Sequence, residues 1–290
     1  MSDAVVLMAY GSPSRIEDVP AYFDDVRGGR PVSAAAVTEL TERYRRIGGS
    51  PLETITDRQQ QALEKELGLP VYVGMKHWRP RIAQAIERAL ADGATRIVAL
   101  VLAPHYSGMS IGEYRERVEK ALAGCAELVF VESWHDDPAF LDMLASRVRG
   151  TDAHVIFTAH SLPARILVEG DPYRDQLLET AELVAGRAGL KDWSFAFQSS
   201  SPTGEPWLGP DVLEELDALA ARGVRKVLVA PVGFVSDHLE ILWDLDVEAH
   251  DRAAALGLEL DRIESLNDDP VFIAALAGIV RRSVSVPSNA

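Results

Sequence analysis

The stretch Phe234-Val-Ser-Asp-His238-Leu-Glu240-Ile-Leu-Trp-Asp244-Leu-Asp246-Val-Glu248 brings an imidazole and a run of acids into fifteen positions. Glu240, Asp244 and Glu248 recur every four residues, which on a helix lays three carboxylates along one drifting stripe. Like charges at that spacing weaken a helix, and a cation or protons in transit would offset the loss. Carboxylates on helices usually face solvent. Here Leu239, Ile241, Leu242, Trp243, Leu245 and Val247 surround them, so the helix is expected to be buried and its acids to face a partner or a cavity. Asp237 and His238 stand at the helix start, where an N-cap role competes with a site role; Asp237 fits the cap.

A second candidate is His160 in Thr158-Ala-His-Ser-Leu-Pro163. A lone histidine after a strand is ordinarily a hydrogen-bonded turn residue. Beside a carboxylate helix it has another reading, because neutral imidazole ligates borderline metals such as iron(II) while an adjacent carboxylate supplies charge. His with Glu and open positions describes a transfer or catalytic site, not a closed structural one. Tyr10-Gly-Ser-Pro13 is either a strand-to-turn corner or the opposite wall of such a site. Arg43-Tyr44-Arg45-Arg46, with Arg27 and Arg30 upstream, is either a solvated helix face or a local anion site. The Gly-rich loop Ile47-Gly-Gly-Ser-Pro-Leu52 lacks Gly-Lys-Ser/Thr, no GxGxxG follows a strand, and there is no GxSxG elbow, which sets aside phosphate-loop and serine-hydrolase readings. His77, His105, His135, His154 and His250 show no metal spacing and are read as structural.

The elements that must position these residues follow from hydrophobic patterning. Short apolar runs at 5–10, 70–75, 97–103, 127–133, 154–159, 193–198, 226–233 and 259–264 alternate with amphipathic segments near 17–27, 33–47, 56–67, 79–92, 110–123, 137–148, 172–188, 210–222, 239–256 and 269–283. Runs such as Ile97-Val-Ala-Leu-Val-Leu102 are apolar throughout, the mark of parallel strands covered on both faces. The pattern predicts an α/β fold with right-handed crossovers. A weak repeat pairs Val5–Pro13 with Val155–Pro163, and Gly93–Ser107 with Gly223–Ser236. Two such pairs in the same order predict two similar Rossmann-like, doubly wound domains: 1–150, 151–267, and a C-terminal helix and tail at 268–290. The expected active-site cleft lies between the two domains, beyond the carboxyl ends of the strands, where Tyr10, Pro104-His105-Tyr106, His160 and Ser236–Glu240 all fall.

The chain has 290 residues and a net charge of −15, with a pI near 4.9, which argues against a nucleic-acid partner. Cys125 is its one cysteine, so neither an internal disulfide nor a cysteine-held zinc or iron–sulfur cluster is expected. The start Met-Ser-Asp leads directly into Val5–Ala9 with no secretory signature, and the most apolar run, Ile97–Pro104, is far too short to span a bilayer. A cytoplasmic protein without an integral membrane segment is expected, a monomer by default.

These residues together resemble the ferrochelatases, enzymes that insert iron(II) into a porphyrin. The resemblance runs almost end to end. It is carried by Met8-Ala-Tyr-Gly-Ser-Pro13, Arg43-Tyr44 with Ile47–Leu52, Ala103-Pro-His-Tyr-Ser107, Thr158–Pro163, Gly170-Asp-Pro-Tyr173, Phe197-Gln198-Ser199 with Trp207-Leu208, and Phe234-Val-Ser-Asp-His-Leu-Glu240. The Met-Ala-Tyr-Gly opening, the Ala-Pro-His-aromatic-Ser segment and the lack of a C-terminal cysteine cluster are similar to the soluble Gram-positive type that acts on coproporphyrin III. The resemblance implies His160 and Glu240 as the catalytic, iron-side pair, with Asp244 and Glu248 continuing the acidic line. It implies Tyr10 as an axial contact on the other face of the macrocycle, and Arg27, Arg43, Tyr44, Ser50 and Tyr114 as holding the porphyrin and its propionates. Ferrous iron would be the substrate metal, with no organic cofactor and no iron–sulfur cluster, and a hand-off partner in haem synthesis could take the product. This chain departs from the family pattern twice: the Gly-Gly-Ser-Pro loop is one residue shorter, and Gln198-Ser-Ser-Ser-Pro replaces a stretch that often carries Arg.

Metallation must remove two pyrrole protons and strip water from the iron; an imidazole beside carboxylates can act as base and as transient ligand. A tight cleft could bend the ring with peripheral binding energy. Other readings stay open at this point: a protoporphyrin IX ferrochelatase, a cobalt or nickel chelatase of a sirohydrochlorin-like ring, a non-catalytic tetrapyrrole carrier with Tyr10 as haem ligand, or a small-molecule binding protein without metal chemistry.

Overall fold

The computed structural model describes residues 2–201 and 204–285; Pro202 of the Gln-Ser-Ser-Ser-Pro stretch and 286–290 of the expected tail lie outside the described residues. Its strands are β1 (Asp3–Ala9), β2 (Val71–Met75), β3 (Arg96–Val101), β4 (Glu127–Val131), β5 (His154–His160), β6 (Trp193–Gln198), β7 (Lys226–Ala230) and β8 (Glu259–Arg262). The helices are α1 (Val19–Val26), α2 (Ala34–Arg46), α3 (Leu52–Leu67), α4 (Ile82–Ala91), α5 (Glu113–Leu122), α6 (Pro138–Val148), α7 (Tyr173–Ala188), α8 (Val212–Ala221), α9 (Leu239–Leu242), α10 (His250–Leu256) and α11 (Pro270–Ser285). The two sheets have orders β2-β1-β3-β4 and β6-β5-β7-β8, and every pairing is parallel.

The repeat read from sequence has a structural counterpart. β1 and β5, and likewise β3 and β7, hold the same places in their respective sheets. Consecutive residues Val5, Val6, Leu7 and Met8 are all fully buried, as are Val155, Ile156 and Phe157. Burial of both parities means that each strand is covered on both faces, which is why its sequence does not alternate.

The first unit comprises the residues up to Trp134, Ser236–His238, and those from Leu266 on; the second comprises His135–Val235 and Leu239–Ser265. In the first, one face of the sheet packs Ala4, Val6, Met8, Ile97 and Ala99 against Ile82, Ile86 and Val118 of α4 and α5. α11 joins this unit, lying on α3 and on β3 and β4, with Phe272 against Trp134 at 6.1 Å between ring centres. The division falls at His135, where sequence placed it at 151, because α6 packs on α7. In the second unit Ile156, Ala196, Val227 and Val229 pack against Val212, Leu216, Ile241 and Leu245.

Helix 239–256, expected as one piece, is broken. α9 has four residues, Asp244–Ala249 forms a π-helical turn, and α10 completes the segment. The Glu248 amide donates to the Trp243 carbonyl five residues back at 2.9 Å. The four-residue acidic stripe therefore does not ride on a regular α-helix; the wider turn rotates the side chains beyond it, leaving Asp244 buried and Glu248 half-buried. A second π-turn, Gly108–Gly112, opens into α5, and a 3-10 turn at Ala164–Leu167 follows the His160 loop. α3 begins at Leu52, four residues before its expected start, directly on the Gly-Gly-Ser-Pro loop.

Gly233, just past β7, passes so close to β5 that a Cβ there would lie 2.5 Å from the Ala159 Cβ and 2.8 Å from its Cα. Its amide donates to the Thr158 carbonyl at 3.1 Å. Glycine at this position lets the chain after β7 press on the residue that precedes His160. Gly233→Ala is expected to destabilise the protein by about 1–3 kcal/mol through overpacking, measured as a lower midpoint in urea unfolding; an unchanged midpoint would show that the two segments part freely.

Candidate functional site

His160 is the last residue of β5 and pairs across the sheet with Gln198, the last of β6. Parallel register alone thus puts these two side by side. The Tyr173 hydroxyl donates to the His160 carbonyl at 3.0 Å, and His160 Nδ1 donates to the Ser161 carbonyl. With Nδ1 engaged, Nε2 points to Glu240, whose Oε1 lies 3.5 Å away. Both side chains keep about a third of their surface, 34% and 31%, so the pair is open to a reactant.

The carboxylates are held from β6. Gln198 Nε2 donates to the Glu240 backbone carbonyl at 2.8 Å, and the Ser199 hydroxyl donates to Asp244 Oδ2. Burial pushes the Asp244 carboxyl up to about 7; the neighbouring Glu240 charge adds to this and the Ser199 bond opposes it. Burial works against a charged His160, but the Glu240 carboxylate outweighs it, helped by the Ser161 carbonyl and Asp244, and the imidazole is raised to about 9. Burial, reinforced by Glu240 and Asp171, drives the Tyr173 phenol up as well. The resting site is a protonated imidazole beside Glu240, with Asp244 poised near neutrality. His160 and Glu240 offer an imidazole nitrogen and a carboxylate, donor types suited to a borderline divalent metal; among the described residues no group of three or more such side chains is arranged to hold one. Glu248 stands one turn beyond Asp244 and adds to the charge that raises it.

The other sequence-selected residues lie in the first unit. Tyr10 follows β1 and is 43% exposed, its ring 4.7 Å from that of His77. Gly11, at φ +92, turns the chain there, and a Cβ would meet Trp78 Cβ at 2.8 Å. Arg27 ends α1 as its exposed C-cap. Arg43 is partly exposed and pairs with Glu39 at 2.7 Å. Three expected contact residues are buried instead. Tyr44, 1% exposed, shares a 2.9 Å hydrogen bond with Ser12. Ser50 accepts from the Leu52 amide at 3.4 Å. Tyr114 belongs to the core against β1 and β3. Each braces the loops behind the exposed residues. Asp237, read as an N-cap, donates its amide to Asn267 Oδ1 and accepts from Asn267 Nδ2 at its own Oδ2, both at 2.9 Å.

Sequence reasoning missed Gln198 and Ser199 as site-forming residues, and also the pair that follows β2, Lys76-His77. The Lys76 side chain is buried and pairs with Glu113 at 2.7 Å. Its ammonium lies 5.9 Å from the Tyr10 ring centre and 5.2 Å from that of Tyr114, a cation–π arrangement on both. His77 Nδ1 meets Asp25 at 3.0 Å, and Asp25 is gripped by Arg81 at 2.6 and 2.9 Å. The signal was present: these residues, like Tyr10 and His160, directly follow the carboxyl end of a strand.

The acid that burial raises should leave a mark on stability. Asp244 goes from 3.8 to about 7, so its contribution is fully present below 3.8 and is lost as pH rises through about 7. The urea midpoint of the protein, compared with that of Asp244→Asn, is expected to fall across that window; a difference independent of pH would contradict the shift.

The ferrochelatase family model matches residues 2–284. A ferrochelatase from Herpetosiphon aurantiacus is 46% identical over 297 residues, covering 96% of this chain and 97% of that protein. A coproporphyrin III ferrochelatase from a Geobacillus species, strain WCH70, is 39% identical over 303 residues, covering 97% of this chain and 98% of that one. Among solved structures, SirB from Bacillus subtilis with Fe3+ has the same fold, with a TM-score of 0.65 at 12% identity, covering 98% of this chain and 96% of its own. Among the described residues no helix is long and apolar enough to cross a membrane. The chain belongs to the ferrochelatase family.

Proposed function

We propose that this ferrochelatase inserts ferrous iron into coproporphyrin III, with His160 and Glu240 on the iron side. The observation that carries the reading is the partly open imidazole–carboxylate pair, 3.5 Å apart. Its chemistry suits the task. Before iron arrives, Glu240 keeps the imidazole protonated. A divalent cation at the carboxylates cancels the charge that holds this proton, so on metal arrival the imidazole gives its Nε2 proton to solvent; the freed lone pair can hold the metal transiently and, once the metal has passed to the ring, accept one pyrrole proton. Asp244, held near neutrality, is suited to take up a second proton and pass it toward Glu248.

On the porphyrin side, Tyr10 offers an exposed ring braced by His77 and Lys76. Arg27 and Arg43 supply guanidinium groups suited to propionates. Tyr44, Ser50 and Tyr114 act from behind these residues. Four propionates on coproporphyrin III give a basic patch in an acidic protein a task, and the name borne by the Geobacillus relative favours this ring over protoporphyrin IX. A cytoplasmic enzyme that hands its product to a later step of haem synthesis fits this reading.

Three measurements test it. Anaerobic turnover with iron(II) is expected to be faster with coproporphyrin III than with protoporphyrin IX; the reverse preference keeps the chemistry and overturns the ring. His160→Ala is expected to lose insertion by a factor of about 100 or more, the loss of general-base assistance, while porphyrin still quenches protein fluorescence; normal turnover would remove His160 from the reaction. Arg43→Ala is expected to raise the porphyrin dissociation constant with little change in kcat, and equal affinity would exclude it from the propionate site.

A further inference from the structure

Two residues of β6 and its loop grip both acids of the site from a strand that carries neither. Gln198 is 1% exposed and uses its polar groups on three partners. Its amide nitrogen donates to the Glu240 carbonyl at 2.8 Å, its amide oxygen accepts from the Thr158 hydroxyl at 3.0 Å, and its backbone carbonyl accepts from the Ser161 amide at 2.8 Å. One side chain therefore ties Glu240 to the strand residue two before His160, while the same residue's backbone holds the residue just after it. Ser199 continues the grip through its hydroxyl on Asp244. It does so at φ +63, a left-handed conformation that a serine keeps only where its surroundings dictate it.

The segment so held cannot fix itself. α9 is a single turn of four residues followed by the π-turn that carries Asp244. One turn is not self-supporting, and a π-turn has no regular rise to set spacing. Ile241 and Leu245 anchor the segment in the core, and the bonds from Gln198 and Ser199 set how its acid-bearing side stands against His160.

Resting on the iron-insertion reading, we propose that Gln198 and Ser199 are specificity-determining positioning residues: by fixing Glu240 and Asp244 against His160 they make the site choose among divalent metals by geometry. Imidazole and carboxylate donors left to adapt freely bind cobalt(II) and nickel(II) more tightly than iron(II), so preference for iron has to come from imposed geometry. A loosened grip lets the donors close on whichever metal is offered, and discrimination drifts toward the later metals.

The test compares wild type with Gln198→Met, which keeps the volume and removes the amide, and with Ser199→Gly, which suits the left-handed backbone and removes only the hydroxyl. Anaerobic insertion into one porphyrin is followed with iron(II) and with cobalt(II), alongside porphyrin affinity by fluorescence and the urea midpoint. Iron kcat/KM is expected to fall about tenfold, the usual effect of losing a group that orients a ligand, with cobalt less affected and porphyrin affinity unchanged. Ser199→Asn, which tolerates the same backbone and restores a donor, is expected to recover the iron-to-cobalt ratio. A ratio equal to wild type in both variants, even with slower turnover, overturns the proposal. If Gln198→Met does not fold, Ser199→Gly decides alone. A wild-type protein that inserts no metal at all fails the reading beneath the proposal, and with it the proposal.

Discussion

An imidazolium and two carboxylates withdrawn from much of their water are the constraint to which the rest of the second unit answers. Such charges are stable only if they neutralise one another and if every remaining polar atom nearby is matched. The matching is visible around His160. Tyr173 satisfies its carbonyl, Ser161 accepts from its ring, Gln198 takes the Glu240 carbonyl and Ser199 the Asp244 carboxyl. A site so balanced is unbalanced by the arrival of a dication. That imbalance is useful for metallation, which must bring in two positive charges and expel two protons.

Parallel strands make this arrangement possible with few long loops. β5 and β6 end level, with His160 opposite Gln198, and β7 runs beside β5 in the same direction. The chain leaving β7 passes over Ala159 at a glycine before it reaches Glu240. Residues some forty and eighty positions apart in sequence therefore meet at one edge of one sheet. The first unit repeats the strand order and uses its own strand ends for Tyr10 and Lys76-His77, so one topology supplies a basic, aromatic surface in one unit and an acidic one in the other.

What was legible in the sequence follows from this physics. Strands such as β1 and β5 could be read because cover on both faces leaves no polar alternation, and the meeting of His160 with Glu240 because both follow the carboxyl end of a strand. The form of the acidic segment could not be read, since a π-turn at Asp244 has the same composition as an α-turn. Tyr44, Ser50 and Tyr114 carry polar atoms that look available in a string of letters. Their burial depends on neighbours such as Ser12 and Val118 that only the folded chain supplies. Gln198 was passed over for the opposite reason: a neutral amide at a strand end has no chemistry of its own, and its importance lies in the partners that register gives it.

The overall charge acts on the two proposed substrates in opposite senses. At −15 the protein draws cations toward it and repels a porphyrin bearing four propionates, over a distance set by the salt around it. On the proposed reading iron is helped to arrive by the whole molecule, whereas the porphyrin would have to be held by local features such as the Arg27 and Arg43 guanidinium groups and the exposed ring of Tyr10. Such a division also favours departure. Once iron has replaced the two pyrrole protons, the ring itself is no more negative than before, but the charge that drew iron to the carboxylates is satisfied within the macrocycle, and His160 and Glu240 are free to re-form their ion pair. On the proposed reading the recovered pair would compete with the metal for the same nitrogen and oxygen, so the interaction that stabilises the resting site would also favour release of the product.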